Sequence, residues 1–139
     1  MHNKVKDSTI LVTGGAGFIG SYVIEELIPL QPKKIVIIDN FIRGTKENMK
    51  SFINNPIIEI HNADIRETDK LEACIAGCDY VFHMAALRIN ACAANPKEGF
   101  DVMLKSTFDV ADLCKKHKVK KVIYSSSASV YGLAQHFPT

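Results

Sequence analysis

The chain has 139 residues, of which 47% are hydrophobic and 23% charged, and this composition is typical of one globular domain. It excludes a disordered or collagen-like chain, and a formal net charge of +2 gives no reason to expect nucleic acid or a membrane surface as a partner. The sequence has no membrane-spanning stretch, no secretory signal and no Cys-x-x-Cys pair among its four cysteines, so we expect a reduced, cytoplasmic protein.

Short apolar runs alternate with segments of helical spacing along the chain. The runs predict strands over 9–12, 35–38, 57–60, 80–82 and 122–124. The periodic segments predict helices over 18–28, 46–53, 68–76 and 96–117, of which the second is weak. Because the strands are apolar throughout, we expect them to be buried on both faces of a parallel sheet. The predicted fold class is α/β, a doubly wound, Rossmann-like domain that binds ligands beyond the carboxyl ends of its strands.

A glycine-rich turn follows the first predicted strand and opens the first helix. Gly15, Gly17 and Gly20 form G-x-G-x-x-G, and Gly14 with the last two forms G-x-x-G-x-x-G. Glycines permit a tight turn and let a pyrophosphate approach the backbone, while the helix N-terminus offers free N–H groups. This context favours dinucleotide binding over a turn that only packs the helix on the sheet. A P-loop is excluded because no Gly-Lys-Ser/Thr follows.

An acidic residue ends the second predicted strand. Asp39 stands 19 residues after Gly20, the spacing of the carboxylate that binds the adenosine ribose hydroxyls in dinucleotide-binding folds. Such a carboxylate repels a 2′-phosphate, so NAD is favoured over NADP. Arg43 is the residue that could accommodate that phosphate, and the alternative role for Asp39 is that of a turn or cap residue.

Five short segments follow the predicted strands: Thr13–Gly20, Asp39–Asn40, Asp64–Arg66, His83–Ala86 and Ser125–Gly132. Together they resemble the extended short-chain dehydrogenase/reductase family. Among its members, the chain is most similar to the NAD-dependent nucleotide-sugar epimerases of the UDP-galactose 4-epimerase type.

The resemblance implies a role in NAD binding for residues after each strand. It implies that Asp64 accepts from the adenine amine, that Ile65 covers the ring and that the small Ala85 and Ala86 let the cofactor lie on the backbone. Arg88 corresponds to residues beside the nicotinamide ribose and phosphate. The full predicted cofactor-binding set is Gly14, Gly17, Phe18, Ile19, Gly20, Asp39, Asn40, Asp64, Ile65, Ala85, Ala86 and Arg88.

The resemblance also implies a catalytic role for Ser127, whose hydroxyl would bind the substrate hydroxyl that is oxidised. The family completes its catalytic set with a Tyr followed four positions on by Lys, and none of the four tyrosines here has Lys at that position. In relatives the pair lies farther along the chain. We therefore expect residues 1–139 to be the N-terminal portion of an NAD-binding domain, truncated after the fifth strand and without the substrate domain.

The function expected from this resemblance is epimerisation of a nucleotide sugar through a transient keto intermediate, although the chain alone is expected to be inactive. One alternative is a nucleotide-sugar dehydratase or decarboxylase of the same family. Dehydratases usually carry acids after the catalytic Ser/Thr, where this chain has Ala128 and Ser129. The other alternative is a non-catalytic dinucleotide-binding module.

The long helix predicted over 96–117 is apolar on more than one side, so one side must cover the sheet and the other needs a partner. That partner is either a helix that these residues lack or another subunit, and we expect a homodimer through this helix, as is common in the family. One face comprises Phe100, Met103, Leu104, Phe108 and Ala111, while Val102, Val110 and Leu113 lie elsewhere.

Two positions of this helix depart from the family pattern, since Met103 stands where Asn is usual and Ser106 where Gly is common. The segment between Leu87 and Pro96 is expected to be a loop. His83, at a strand end, is expected to be a structural partner for backbone groups. No metal site is expected, because Cys74 and Cys78 have no further ligands beside them.

Overall fold

The computed structural model describes residues 2–133 and 135–137, which form a parallel sheet with helices on both faces. Its strands are β1 (Thr9–Thr13), β2 (Lys34–Asp39), β3 (Ile58–Asn62), β4 (Tyr80–His83) and β5 (Lys121–Tyr124). The strand order is β3-β2-β1-β4-β5, so the chain winds first to one side of β1 and then to the other. The predicted doubly wound fold is confirmed, and its switch point lies between β1 and β4.

The helices differ from the sequence-based prediction in several places. The helix predicted over 46–53 is wrong: that segment forms the 3₁₀ turn Glu47–Met49 followed by further turns, and it places Met49 and Phe52 in the core. A four-residue helix near the N-terminus and a helix within the expected 87–96 loop were not predicted. The helices are α1 (His2–Val5), α2 (Phe18–Leu27), α3 (Thr68–Ile75), α4 (Ile89–Ala94), α5 (Pro96–Gly99) and α6 (Ser106–Lys116).

The sheet separates two apolar layers. On one face, α2 packs Ile24 with Met49 and Phe52, and on the other face α3 and α6 pack Leu71 and Val110 against the strands. Burial on both faces is confirmed for β1 and β2. It is wrong for β3 and β5, whose residues are half-buried or exposed because these two strands form the edges of the sheet.

Three of the cysteines are core residues. Cys74, Cys78 and Cys114 are buried in the cluster that α3 and α6 share. Burial raises the pKa of the Cys78 thiol to about 12 and that of the other two to about 11, so these thiols are unreactive near neutral pH.

The long helix, Pro96–Lys116, consists of α5, a π-helical turn (Phe100–Lys105) and α6. Val102, Val110 and Leu113 face the core, so theirs is the side that covers the sheet. The opposite side is exposed, and it carries Phe100, Leu104, Phe108 and Ala111. Met103 differs from the expectation, because it is partly buried and packs against the core.

No helix in the described part of the chain combines the length and apolar character needed to cross a membrane.

The glycine turn after β1 contacts the loop after β4 through bare backbone. Gly14 has a φ of +69°, and a Cβ atom built there would lie 2.7 Å from the Ala85 nitrogen and 2.8 Å from its Cα. Real Cβ atoms do not approach backbone so closely, so only glycine allows the two segments to meet. Gly77, after α3, also has a positive φ of +79°, but a Cβ there meets nothing within 4 Å.

These two glycines predict different costs for the same substitution. Gly14→Ala and Gly77→Ala each place alanine in the left-handed region, which should lower the free energy of unfolding by about 1–2 kcal/mol. Gly14→Ala should cost about 1–3 kcal/mol more, because the added methyl overpacks the Ala85 backbone. Urea unfolding of both variants measures the difference, and equal losses of unfolding free energy would show that the contact is not tight.

Candidate functional site

One cleft lies at the carboxyl ends of the strands, with a volume of about 440 Å³, within the range of small-ligand pockets. It is lined by residues that follow β1, β2, β3 and β4. All of the predicted cofactor-binding residues lie in its lining: Gly14, Gly17, Phe18, Ile19, Gly20, Asp39, Asn40, Asp64, Ile65, Ala85, Ala86 and Arg88.

The glycine turn presents the N-terminus of α2 without a side-chain cap. The Gly17 N–H donates to the Gly14 carbonyl at 3.1 Å, and the Ser21 N–H donates to the Gly17 carbonyl at 3.0 Å. Gly17 itself is the N-cap and has no side chain to satisfy the N–H groups of the first turn. This end of α2 therefore fits an anionic group such as a pyrophosphate.

Asp39 is both a turn residue and a pocket residue. Only 8% of its surface is exposed, and its two oxygens accept from the Ala16 N–H at 3.0 Å and the Phe41 N–H at 2.8 Å. Each carboxylate oxygen has a second lone pair. The site therefore fits a ribose diol, whose two hydroxyls can each donate to one oxygen. Arg43 also lines the cleft and is exposed.

Asp64 is more heavily engaged than the resemblance implies. Arg66 donates to Oδ1 through its backbone N–H at 2.9 Å and through Nε at 2.8 Å, and Nη2 donates to Oδ2 at 2.8 Å. The Asn40 amide also donates to Oδ2 at 2.8 Å. Hydrogen bonds from Arg66 lower the pKa of Asp64 to about 2. Because a carboxylate has about four acceptor positions, an adenine amine must displace one of these donors.

The end of β4 contains a chain of buried and partly buried hydrogen bonds centred on His83. The Ala85 N–H donates to Thr13 Oγ1 at 3.1 Å, and Thr13 Oγ1 lies 2.7 Å from His83 Nδ1. His83 Nε2 lies 3.1 Å from Thr107 Oγ1, whose hydroxyl donates to the Met103 carbonyl at 2.9 Å. His83 thus binds side-chain hydroxyls, so its expected pairing with backbone groups is wrong.

The directions of these bonds assign the tautomer of His83. Thr107 uses its proton on a carbonyl, so it accepts from Nε2–H, and Nδ1 then accepts from the Thr13 hydroxyl. This arrangement requires a neutral ring. Burial of His83, which is 2% exposed, accordingly lowers its pKa to about 4.

Ser127 follows β5 and lies at the same edge of the sheet, but it is outside the lining of the cleft. It is exposed, and its carbonyl accepts from the Val130 N–H at 3.2 Å. Within residues 2–133 and 135–137, no three His, Cys, Asp or Glu side chains are arranged to hold a metal ion.

Residues 11–137 match the family described as the 3-beta hydroxysteroid dehydrogenase/isomerase family. The chain belongs to this family. Curated relatives include UDP-glucose 4-epimerases and UDP-glucuronic acid decarboxylases, which confirms the resemblance to nucleotide-sugar enzymes. The chain spans about 40% of the length of the curated epimerases that it matches.

Solved structures of relatives share the fold closely. A UDP-N-acetylglucosamine 4-epimerase from Methanobrevibacter ruminantium M1, in complex with UDP-N-acetylmuramic acid, is 37% identical with a TM-score of 0.87, covering 96% of this chain and 42% of that one. A UDP-glucose 4-epimerase from Bifidobacterium longum, in complex with NAD⁺ and UDP, is 33% identical with a TM-score of 0.81. The match covers 95% of this chain and 41% of that one. Among the curated relatives matched by sequence, UDP-glucuronic acid decarboxylase 3 of Arabidopsis thaliana is 30% identical, covering 88% of this chain and 34% of that protein.

Several lining residues were not in the predicted set. Arg66 and Met84 belong to the quoted motifs, so their positions after strands were a usable signal. No sequence signal indicated Glu98, because it reaches the cleft from α5 and not from a strand end. Its carboxylate lies 3.5 Å from the Arg66 guanidinium. The additional lining residues are Ile38, Ile42, Arg43, Gly44, Asn48, Arg66, Met84, Leu87, Glu98 and Val102.

The buried His83 predicts a pH dependence of stability. Its pKa is about 4 in the folded chain and is ordinarily 6.5, so the unfolded chain binds more protons between these values. Stability is therefore fully present above about pH 6.5 and is lost as the pH falls towards 4, with a slope approaching about 1.4 kcal/mol per pH unit for one proton.

His83→Asn should remove that slope, and urea unfolding across pH 4–8 measures it. Above pH 7 both proteins should show the same dependence, which serves as the internal control. The slopes are compared between pH 5 and 6.5, because Asp64 titrates below its ordinary pKa of 3.8 and the pKa values of Glu59, Glu67 and Glu72 are lowered from 4.5, so these carboxylates change stability at lower pH. An unchanged slope in the variant would contradict the neutral assignment.

Proposed function

We propose that this chain binds NAD in the cleft and, together with segments such as those its relatives carry, epimerises a nucleotide sugar. The observation that carries this proposal is the convergence of the uncapped α2 N-terminus and the Asp39 carboxylate in one cleft. The family match and the NAD⁺ in the Bifidobacterium longum neighbour support it.

Each part of the cleft has a distinct task in this proposal. Bound NAD supplies reversible hydride transfer. The N–H groups at the start of α2 bind the pyrophosphate, Asp39 accepts from the ribose hydroxyls, and the small Ala85 and Ala86 keep the backbone accessible. The Ser127 hydroxyl orients the substrate hydroxyl at the neighbouring strand end.

A proton acceptor is the part that these residues do not supply. Oxidation of a sugar carbon releases a hydroxyl proton, and a serine hydroxyl is too weak a base to take it near neutral pH. His83 is 2% exposed and has both ring nitrogens engaged, so it does not reach a substrate. The Tyr-x-x-x-Lys pair of the extended short-chain dehydrogenase/reductase family does not occur in the 139 residues.

Decarboxylation or dehydration of a nucleotide sugar is the second candidate function, favoured by the Arabidopsis thaliana relative. Ala128 and Ser129 stand where dehydratases carry acids, which favours epimerisation. Product analysis separates the two, because an epimerase returns a sugar of the same mass. A non-catalytic NAD-binding module is the remaining alternative, and it would bind NAD without turnover in any longer protein.

We also propose that the exposed face of the long helix pairs two copies of the chain. Phe100 is 55% exposed, Leu104 is 60% exposed and Phe108 is 69% exposed. Such a contiguous apolar surface normally marks an interface. The ion pairs Lys97–Asp101 and Lys105–Asp109 lie along the same helix and would form its polar rim.

Cofactor choice tests the role of Asp39. The chain should bind NAD more tightly than NADP, because a carboxylate repels a 2′-phosphate. Asp39→Ala should weaken NAD binding by about 1–3 kcal/mol, through the loss of buried hydrogen bonds. Calorimetric titration measures both, and Asp112→Ala, which removes an exposed carboxylate from α6, is the control. Tighter binding of NADP would contradict the assignment and indicate Arg43 as the dominant neighbour.

Turnover measurements test the proposal that these residues supply no general base. The 139-residue chain should not epimerise UDP-sugars, since general base catalysis contributes about a hundred- to ten-thousand-fold and substrate positioning is also lost. A longer protein that adds the segments found in relatives should be active. There, Ser127→Ala should lower kcat far more than it weakens NAD binding. Epimerisation by the short chain at the rate of the longer protein would refute this account.

Self-association tests the proposed pairing. Phe108→Lys should weaken dimerisation by at least about tenfold, because it places a charge in the apolar face. Tyr22→Lys is the matched control, since Tyr22 is 57% exposed on α2, which packs on the opposite face of the sheet. Sedimentation at several concentrations distinguishes the two. A wild-type chain that stays monomeric at all concentrations would exclude the interface.

A further inference from the structure

The loop Met84–Arg88, which we call the β4–α4 loop, is held by the long helix through a sulfur atom. The Leu87 N–H donates to the thioether Sδ of Met103 at 3.1 Å. All five residues of the β4–α4 loop line the cleft, whereas Met103 does not. Met103 therefore acts on the cleft only through the backbone that it contacts.

The π-helical turn determines where Met103 lies. Its last hydrogen bond joins the Ser106 N–H to the Asp101 carbonyl, five residues back. The Ser106 hydroxyl donates to the same carbonyl at 2.9 Å, and Ser106 is fully buried. The hydroxyl thus reinforces the wide turn, and the π-helical turn carries Met103. The two departures from the family pattern, Met103 and Ser106, belong to one local structure.

The same part of the helix also reaches the other end of the β4–α4 loop. Thr107 donates to the Met103 carbonyl and accepts from His83, which in turn accepts from Thr13. Thr13 accepts the Ala85 N–H at 3.1 Å. The same turn of the long helix therefore holds two N–H groups of the loop. It holds the Leu87 N–H directly and the Ala85 N–H through the chain of hydrogen bonds that includes His83.

We propose that Met103 is a positioning residue for the bound cofactor, acting as the acceptor that fixes Leu87 and with it the β4–α4 loop. This proposal rests on the proposed NAD-binding function of the cleft. The essential property of Met103 is its acceptor atom at the δ position. An asparagine Oδ1 is also three bonds from Cα, so asparagine can occupy the same role, whereas leucine keeps the volume and loses the acceptor.

The test compares Met103→Leu with Met103→Asn in this chain. In Met103→Leu, the Leu87 amide should exchange its proton about tenfold faster, and NAD should bind about three- to tenfold more weakly, the range for one lost hydrogen bond. Met103→Asn should restore both values. Met49→Leu, at a fully buried methionine in the other apolar layer, is the matched control and should change neither. Amide exchange by NMR and calorimetric NAD titration provide the readouts.

Wild-type exchange and affinity in Met103→Leu would overturn the proposal. So would equal losses in both Met103 variants, because they would make side-chain volume rather than the acceptor the cause. A wild-type chain that does not bind NAD overturns the proposed function and the cofactor half of this proposal. The exchange rate of the Leu87 amide then still decides whether Met103 holds the loop.

Discussion

The cleft depends on one close backbone contact, in which Gly14 lies against Ala85 with no room for a side chain between them. The contact joins the turn after β1 to the loop after β4 across the switch point of the sheet. Thr13 precedes Gly14, and His83 lies two residues before Ala85. Their side chains bind each other and so hold the ends of β1 and β4 together. Since the same two segments carry the α2 N-terminus and the β4–α4 loop, the contact sets the width of the cleft.

The two acids of the cleft are partly used by the protein itself. Asp39 accepts from two backbone N–H groups and retains one lone pair on each oxygen, which prepares it for a diol. Asp64 is paired with Arg66 and Asn40, so a ligand must exchange with an existing donor there. We therefore expect the ribose end of the cleft to be preformed and the adenine end to adjust.

The strand-end residues could be predicted from sequence because their chemistry demands particular residue types at particular spacings. Gly14, Asp39 and the alanines after β4 fall in this class. The exposure of β3 and β5 could not be predicted, because it depends on which strands form the edges. Helix α4 buries no residue and so leaves no apolar stripe in the sequence. The bond from Leu87 to Met103 is a tertiary contact through a weak acceptor, which no local pattern encodes.

NMR mapping of NAD on the isotopically labelled chain shows whether the residues around this cleft bind the cofactor. The amides of the glycine turn, of Asp39 and Asn40, and of the β4–α4 loop should shift together and saturate at one dissociation constant. Shifts confined to the exposed face of the long helix, or no shifts at millimolar NAD, would contradict cofactor binding in the cleft.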